Sequence, residues 1–491
     1  LKSIATEWTE RSVAYTAQPN VSKIRSMDID MSAAPIERLP IREVLDIAEA
    51  LGHYDFNSHT ERQPFRGLAK LRPARALSAI TDATRMGKFF PWAWAALLSS
   101  SNAKVKNPRI LSTIGRRLAR LPVDKMSEIV YPVSEWLSKF GEELVSETSE
   151  VFDLVWEALV SSYIAFPTVK QNARPDRNWV NEGLNSPIGR MIEALFKDPT
   201  TTAFQPTTGL PRPWKRRLNQ LLDLHCDFRQ HAIAMTSAQL NWLFHVDANW
   251  TESKLLPFAN NAGIDSDAFW EGYLWNVRTP QRLLYTRLKP GFIALAQRKG
   301  LHRNEETQLA ALLLAGWGDF ENEFTPERLV TDIELREILI HANNEFRSHL
   351  LWHLEKWTEE NIQWKDHLSI FLRSVWPKQR DVRTPEISGR LVDISLTTPN
   401  LFPEVLDIIL PRLVATSSSL RLTCISEKET TTNIIAERHP QEFLKLLLAS
   451  LGPDPVNWPY GVDKFIMLLT APPCTQNEPS LLELCKRMKS R

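Results

Sequence analysis

Apolar residues recur at three- and four-residue spacing along almost the whole chain. Val44, Ile47, Ala48 and Leu51 form one such set. Val151, Leu154, Val155, Ala158 and Leu159 form a second, and Leu335, Ile338, Leu339 and Ala342 a third. Side chains three and four apart share one stripe of an α-helix, so each set predicts a helix with one buried face. Sustained period-two alternation is rare, and the one extended piece expected is short, near Leu420–Ile425. Pro91, Pro122, Pro132, Pro167, Pro187, Pro290, Pro326, Pro403 and Pro440 fall at the starts of apolar stretches or between them. Proline suits a first helical turn and breaks a helix interior. The pattern predicts an all-α protein of many short helices.

The last third carries a repeat. Thr398-Pro399-Asn400-Leu401-Phe402 leads into Val405, Leu406 and Ile409, and His439-Pro440-Gln441-Glu442-Phe443 leads into Leu446 and Leu447. The two prolines are 41 residues apart, and a weaker copy at Pro479 follows 39 residues later. A period near 40 is that of HEAT and armadillo helical pairs, which bury their apolar faces jointly by stacking. The expected fold is therefore an array of antiparallel helical pairs, a HEAT/armadillo-like solenoid. Asp198–Pro213, rich in Thr and Pro, reads as a junction, and Trp376–Thr384 as a second. They divide the chain into an N-terminal helical region (1–200), a central Trp-rich helical region (201–380) and C-terminal helical repeats (381–491), or equally are long loops within one continuous solenoid.

Composition narrows the function classes. The 491 residues are 43% hydrophobic, enough for a large core and against wholesale disorder. Lys and Arg number 59 against 58 Asp and Glu, a net charge of +1 that exerts no global pull on nucleic acid or an acidic membrane. Glycines number 17, roughly half the average of about 7%. No phosphate-loop pattern is present. Gly316-Trp317-Gly318 begins a dinucleotide fingerprint, but Glu321 stands where the third glycine is needed. No cofactor is expected. The 17 tryptophans include Trp242, Trp250, Trp270, Trp275, Trp352, Trp357, Trp364 and Trp376, which read as core anchors. Cys226, Cys424, Cys474 and Cys485 form no CxxC and read as free thiols of a cytoplasmic protein. Leu1-Lys2-Ser3-Ile4 opens no secretory signal, and Phe89–Leu98, with Pro91 inside it, is too short to span a bilayer. The chain does not begin with Met, and its numbering is expected to start inside a longer product.

Few residues suggest chemistry. Cys226 lies beside His225 and near His231, with nothing else pointing to a nucleophile. Glu345, His349 and His353 fall at i, i+4 and i+8 on one helical face, a spacing that metal ligands use. Leu350, Leu351 and Leu354 supply the plainer account, in which the histidines flank a core face, and no metal ligand is assigned. Three basic groups could meet phosphates: Arg116, Arg117 and Arg120; Arg212, Lys215, Arg216 and Arg217 around Trp214; and Arg298, Lys299, His302 and Arg303. Their plainer account is a solvated face balanced by acids such as Glu142, Glu143, Glu147 and Glu150.

Four segments carry a resemblance. They are Asn185-Ser186-Pro187-Ile188-Gly189-Arg190-Met191-Ile192-Glu193-Ala194-Leu195; Phe269-Trp270-Glu271-Gly272-Tyr273-Leu274-Trp275 with Leu288-Lys289-Pro290-Gly291-Phe292; Trp364-Lys365-Asp366-His367-Leu368 running to Val375-Trp376-Pro377; and Trp458-Pro459-Tyr460-Gly461-Val462. In that order, and from about Leu68 onward, the chain resembles the long helical C-terminal region of bacterial antiphage proteins of the defence-associated sirtuin type. The resemblance implies a sensor and scaffold that binds a phage protein and holds an NAD-hydrolysing effector in an oligomer. That effector would lie upstream of Leu1 or on another chain, because no segment here matches a sirtuin domain. The motif residues themselves read as scaffold. Asn185 or Ser186 caps a helix, Gly189 permits close packing, and Pro290 and Pro377 start or stop helices. No catalytic, cofactor or metal residue is carried over. The expected function is a non-catalytic sensor and scaffold region of an antiphage defence protein. The alternative is a helical nucleic-acid-binding component of a defence or repair system. A third class is a free-standing enzyme with a metal site at Glu345, His349 and His353.

Overall fold

Helix starts follow from local chemistry. Pro64, Pro73, Pro91, Pro108, Pro187, Pro385, Pro440 and Pro479 each open a helix, where a missing N–H is no loss. Ser186 is the cap of Pro187–Phe196, its hydroxyl accepting from Gly189 N at 3.0 Å. Thr331 and Glu334 form a reciprocal capping box at the start of Asp332–His341. Pro290 departs from expectation, because it lies inside the helix Arg282–Gln297. Leu288 and Phe292 are buried on either side of it, so packing holds the helix through a residue of poor propensity. Pro377 does follow a helix end. Ile362–Ile370 widens into a π-turn over Phe371–Val375, closed by Trp376 N donating to Phe371 O at 3.0 Å.

The structure is a computed structural model that describes residues 28–52, 54–55, 60–100, 107–166, 177–206, 208–260, 262–298, 301, 303–318, 328–360, 362–397, 399–423 and 429–490. It is predominantly helical, with 26 α-helices among the described residues. Pro167 and Pro326 lie outside the described residues. No helix among the described residues is long and apolar enough to cross a membrane.

The chain divides into two compact units. One contains the described residues of Leu1–Pro175, Asn181–Phe204 and Pro211–Ala232; the other contains those of Asp176–Val180, Gln205–Leu210 and Ile233–Arg491. The Thr- and Pro-rich stretch Asp198–Pro213 is therefore built into both units rather than strung between them. In the first unit Asp198 caps a short 3-10 turn through Thr200 N at 2.9 Å and accepts from Trp214 Nε1 at 3.2 Å. In the second, Gly209 N donates to Val246 O at 3.1 Å, and Leu210 N to Asp247 Oδ2 at 2.9 Å.

The first unit is organised on Val130–Ala165, which leaves helical geometry at Thr148 (φ −152°, ψ 57°). Pro108–Leu118, Val123–Glu128 and Pro187–Phe196 pack against it. Its second half buries Val151, Phe152, Val155, Trp156 and Leu159, while Leu154 of the expected stripe is 40% exposed. The aromatic pair Phe152 and Trp156 turns the buried face away from Leu154. Three short strands are also present: Asp28–Asp30, Tyr54–Asp55 and Thr60–Arg62. Thr60–Arg62 is central, parallel to the first and antiparallel to the second. Strands of two or three residues are too short to give a period, so the sequence did not reveal them. The extended piece expected at Leu420–Ile425 is instead a turn through Thr423, and residues 424–428 lie outside the described residues.

In the second unit, Arg303–Gly318 packs on Asn344–Glu360, which packs in turn on Pro385–Ser395. Near the C-terminus Phe402, Phe443 and Phe465 lie in series, with ring centroids 6.2 and 5.9 Å apart. Phe402–Ile409, Pro440–Ser450 and Val462–Leu468 carry these rings.

Candidate functional site

Asn343 ties together two helices of the second unit. Its Oδ1 accepts from Phe346 N at 2.7 Å, at the start of Asn344–Glu360. Its Nδ2 donates to Glu306 Oε1 at 2.9 Å, on Arg303–Gly318. Glu345 and His349 stand one turn apart on the same face of their helix. Together with Glu306 they present three ligand atoms within 4.8 Å of one another. Glu306 is 5% exposed, and its Oε2 is buried with no hydrogen-bond partner among the described residues. Thr307, next in the chain, engages both histidines. Its Oγ1 lies 3.2 Å from His349 Nδ1, and its carbonyl accepts from His353 Nε2 at 3.0 Å.

The three-residue set suggested by spacing is therefore revised. Burial pushes the His353 imidazole down to about 4, so it is neutral at pH 7 with its Nε2 proton given to a backbone carbonyl. Glu306, from the neighbouring helix, completes the group instead. It stands in the acidic first turn of Arg303–Gly318, where Glu305 and Glu306 read as ordinary complements to a helix dipole. Only the packing of the two helices brings Glu306 to Glu345, so no local pattern could find it.

The rest of Asn344–Glu360 is structural. Arg347 is buried and donates to Leu339 O at 2.7 Å and Ile340 O at 2.8 Å, capping the carbonyl end of Asp332–His341. Arg421, 1% exposed, donates from Nε to Glu355 Oε1 at 3.2 Å and also pairs with Glu359. Asp393 accepts from Ser419 Oγ at 2.7 Å, Arg421 N at 3.0 Å and Leu420 N at 3.2 Å. Burial nonetheless pushes its carboxyl up to about 6. Trp250, Trp270, Trp364 and Trp376 are core residues as expected, whereas Trp275 and Trp352 are exposed.

Arg116, Arg216, Arg217 and Arg298 are engaged by acids. Arg116 pairs with Glu150 at 3.3 Å. Arg216 pairs with Asp153 at 2.9 Å and Glu157 at 3.5 Å. Arg217 is buried, pairs with Asp153 at 2.9 Å and lies 4.7 Å from the Phe152 ring. It is a core residue and presents no charge to a phosphate. Arg120 and Arg212 are exposed, and Arg117 and Lys215 half-buried. Arg298 pairs with Asp267 at 2.6 Å; Lys299, His302 and the Arg303 side chain lie outside the described residues.

Other sequence candidates disperse. His225 Nε2 donates to Phe166 O at 3.0 Å, and His231 Nε2 lies 3.5 Å from Glu182 Oε2, so each imidazole has a partner other than Cys226. Cys424 lies outside the described residues. Gly316 and Gly318 are buried inside a helix, where no loop forms to cradle a phosphate, and Glu321 lies outside the described residues. A surface cleft of about 570 Å³ in the first unit is lined by Glu49, Arg62, Arg66, Trp92, Tyr131 and Glu135, among others. Its charges are mixed, and Trp92 Nε1 donates to Glu49 Oε1 at 3.0 Å. No protein-family model matches the chain, and a search of the curated proteins finds no match.

Proposed function

We propose that the chain is a non-catalytic, protein-binding helical scaffold. In this reading its helices stack as antiparallel pairs in a HEAT/armadillo-like solenoid. The observation that carries it is a concentration of exposed apolar side chains on the last helices and on the turns between them. Val456 and Tyr460 are 71% and 69% exposed, and Leu448, Met467 and Leu482 are exposed with them. Water-facing tyrosine, methionine and aliphatic side chains on neighbouring segments are the raw material of a protein interface. The resemblance to defence-associated sirtuin proteins supplies the context: a cytoplasmic antiphage sensor that binds a phage protein and controls an NAD-hydrolysing effector outside this chain. The nucleic-acid alternative has weaker support, because Arg116, Arg216 and Arg217 already hold carboxylate partners.

The test compares NAD consumption by this chain, by the full-length product of its gene, and by that product carrying Tyr460→Arg and Met467→Glu. The expected result is turnover by the full-length product alone, stimulated by phage lysate and unresponsive to lysate in the double variant. Turnover by this chain alone overturns the non-catalytic reading. Absence of turnover by the full-length product removes the effector, and an unchanged lysate response in the variant removes the docking face.

A further inference from the structure

We propose that Glu306, Glu345 and His349 form a binding site for one divalent transition-metal ion, best matched to Zn²⁺. The inference stands apart from the protein-docking reading and rests on the helix pair Arg303–Gly318 and Asn344–Glu360.

Three features converge on it. The donor set is right: two carboxylates and an imidazole are ligands that Zn²⁺ accepts, whereas Ca²⁺ requires six or more oxygens. The spacing is within reach. Tetrahedral bonds of about 2.0–2.1 Å place ligand atoms about 3.3 Å apart. The three groups are within 4.8 Å of one another, and Glu345 is the exposed member of the set. The buried oxygen of Glu306 is the independent sign. A carboxylate oxygen held away from water with no donor is costly, and a cation in that position satisfies it.

Surrounding residues are arranged as outer supports of a metal site. Asn343 fixes Glu306 through its other oxygen. Thr307 holds the His349 ring at Nδ1, which directs Nε2 to the metal. Three protein ligands leave a fourth position for water beside the exposed Glu345. The ion would add to the Asn343–Glu306 and Thr307–His353 hydrogen bonds that already tie the two helices together.

The experiment uses the whole chain, stripped with a chelator and titrated with Zn²⁺ by calorimetry. One equivalent is expected to bind and to raise the melting temperature. Glu306→Gln and His349→Ala are expected to weaken binding by about 100-fold or more, and Thr307→Val by about tenfold. Glu345→Gln, at an exposed position, is expected to weaken it at least about tenfold while the metal-free protein melts as wild type. Co²⁺ serves as a second probe. Its visible absorption should appear without a thiolate charge-transfer band, which separates this site from Cys226, Cys474 and Cys485. The proposal is overturned if wild type takes up no stoichiometric Zn²⁺. It is equally overturned if Glu345→Gln and His349→Ala bind as wild type, or if thiolate ligation accounts for the uptake.

Discussion

Arg421 shows what a single buried charge demands of its surroundings. Its guanidinium is held by Glu355 and Glu359, while its backbone N–H serves Asp393. Replacement by Met would remove the cation that faces the buried Glu355 carboxylate, so Arg421→Met is expected to lose about 3–5 kcal/mol in denaturant unfolding. Two nearby groups make stability depend on pH in opposite directions. His353 falls from 6.5 to about 4 on folding, so the unfolded chain binds the extra proton first as pH drops. Its contribution is complete above pH 6.5 and is lost as pH falls toward 4. Asp393 rises from 3.8 to about 6, so its contribution is present at low pH and is lost as pH rises through that range. The wild-type profile mixes both, and the difference between wild type and His353→Gln isolates the histidine. That difference is expected to grow by about 2–3 kcal/mol between pH 4 and 6.5 and then level off. A flat difference would mean that folding leaves the His353 pKa unshifted.

At the scale of elements, close approach decides which substitutions are tolerated. A Cβ on Gly272 would sit 2.1 Å from the carbonyl oxygen of Ala234 on a neighbouring helix, so backbone must move to admit it. Gly272→Ala is expected to lose about 1–3 kcal/mol, seen as a lower urea midpoint at unchanged slope. Gly189 is equally confined, with its added Cβ 2.0 Å from Gly183 O, as its place beside a helix start suggested. Features of this kind were legible where the signal was local. Ser186 with Pro187 announces a helix start because cap and proline act on adjacent backbone. The stripe Leu335, Ile338 and Leu339 is buried as its spacing requires. Pro290 was misread because the packing of Leu288 and Phe292, invisible to local propensity, keeps the helix intact. Glu306 was missed for the same reason: it comes beside Glu345 and His349 only after two helices meet. The pairing of Arg216 and Arg217 with Asp153 likewise joins residues that the sequence keeps far apart.

For the whole molecule, the near-neutral charge has a counterpart in its pairings. Members of the basic groups that stand out in the sequence face acids of the same unit, with Arg116 on Glu150 and Arg216 on Asp153 and Glu157. No retention on heparin at physiological salt is the expected result, and replacing Arg212, Lys215 and Arg216 with Ala should not change elution. Salt-sensitive retention that the triple variant abolishes would revive the nucleic-acid reading. The division into units was less legible than the helices. The described residues of 177–180 and 205–210 belong to the second unit, while those of 181–204 and 211–232 belong to the first. The boundaries at 204/205 and 210/211 fall within the Thr- and Pro-rich stretch Asp198–Pro213, whereas the return of short pieces to each core is set by tertiary packing and leaves no local signal.

The departure from helical geometry at Thr148 has a consequence for how the first unit opens. Ser146, Glu147, Ser149 and Glu150 around it are exposed, while Leu144 and Val151 on either side are buried. Backbone amides at this joint should exchange with deuterium faster than those of either flanking segment. A glutamate-specific protease should nick the folded chain there first, leaving two fragments that stay together until denaturant is added.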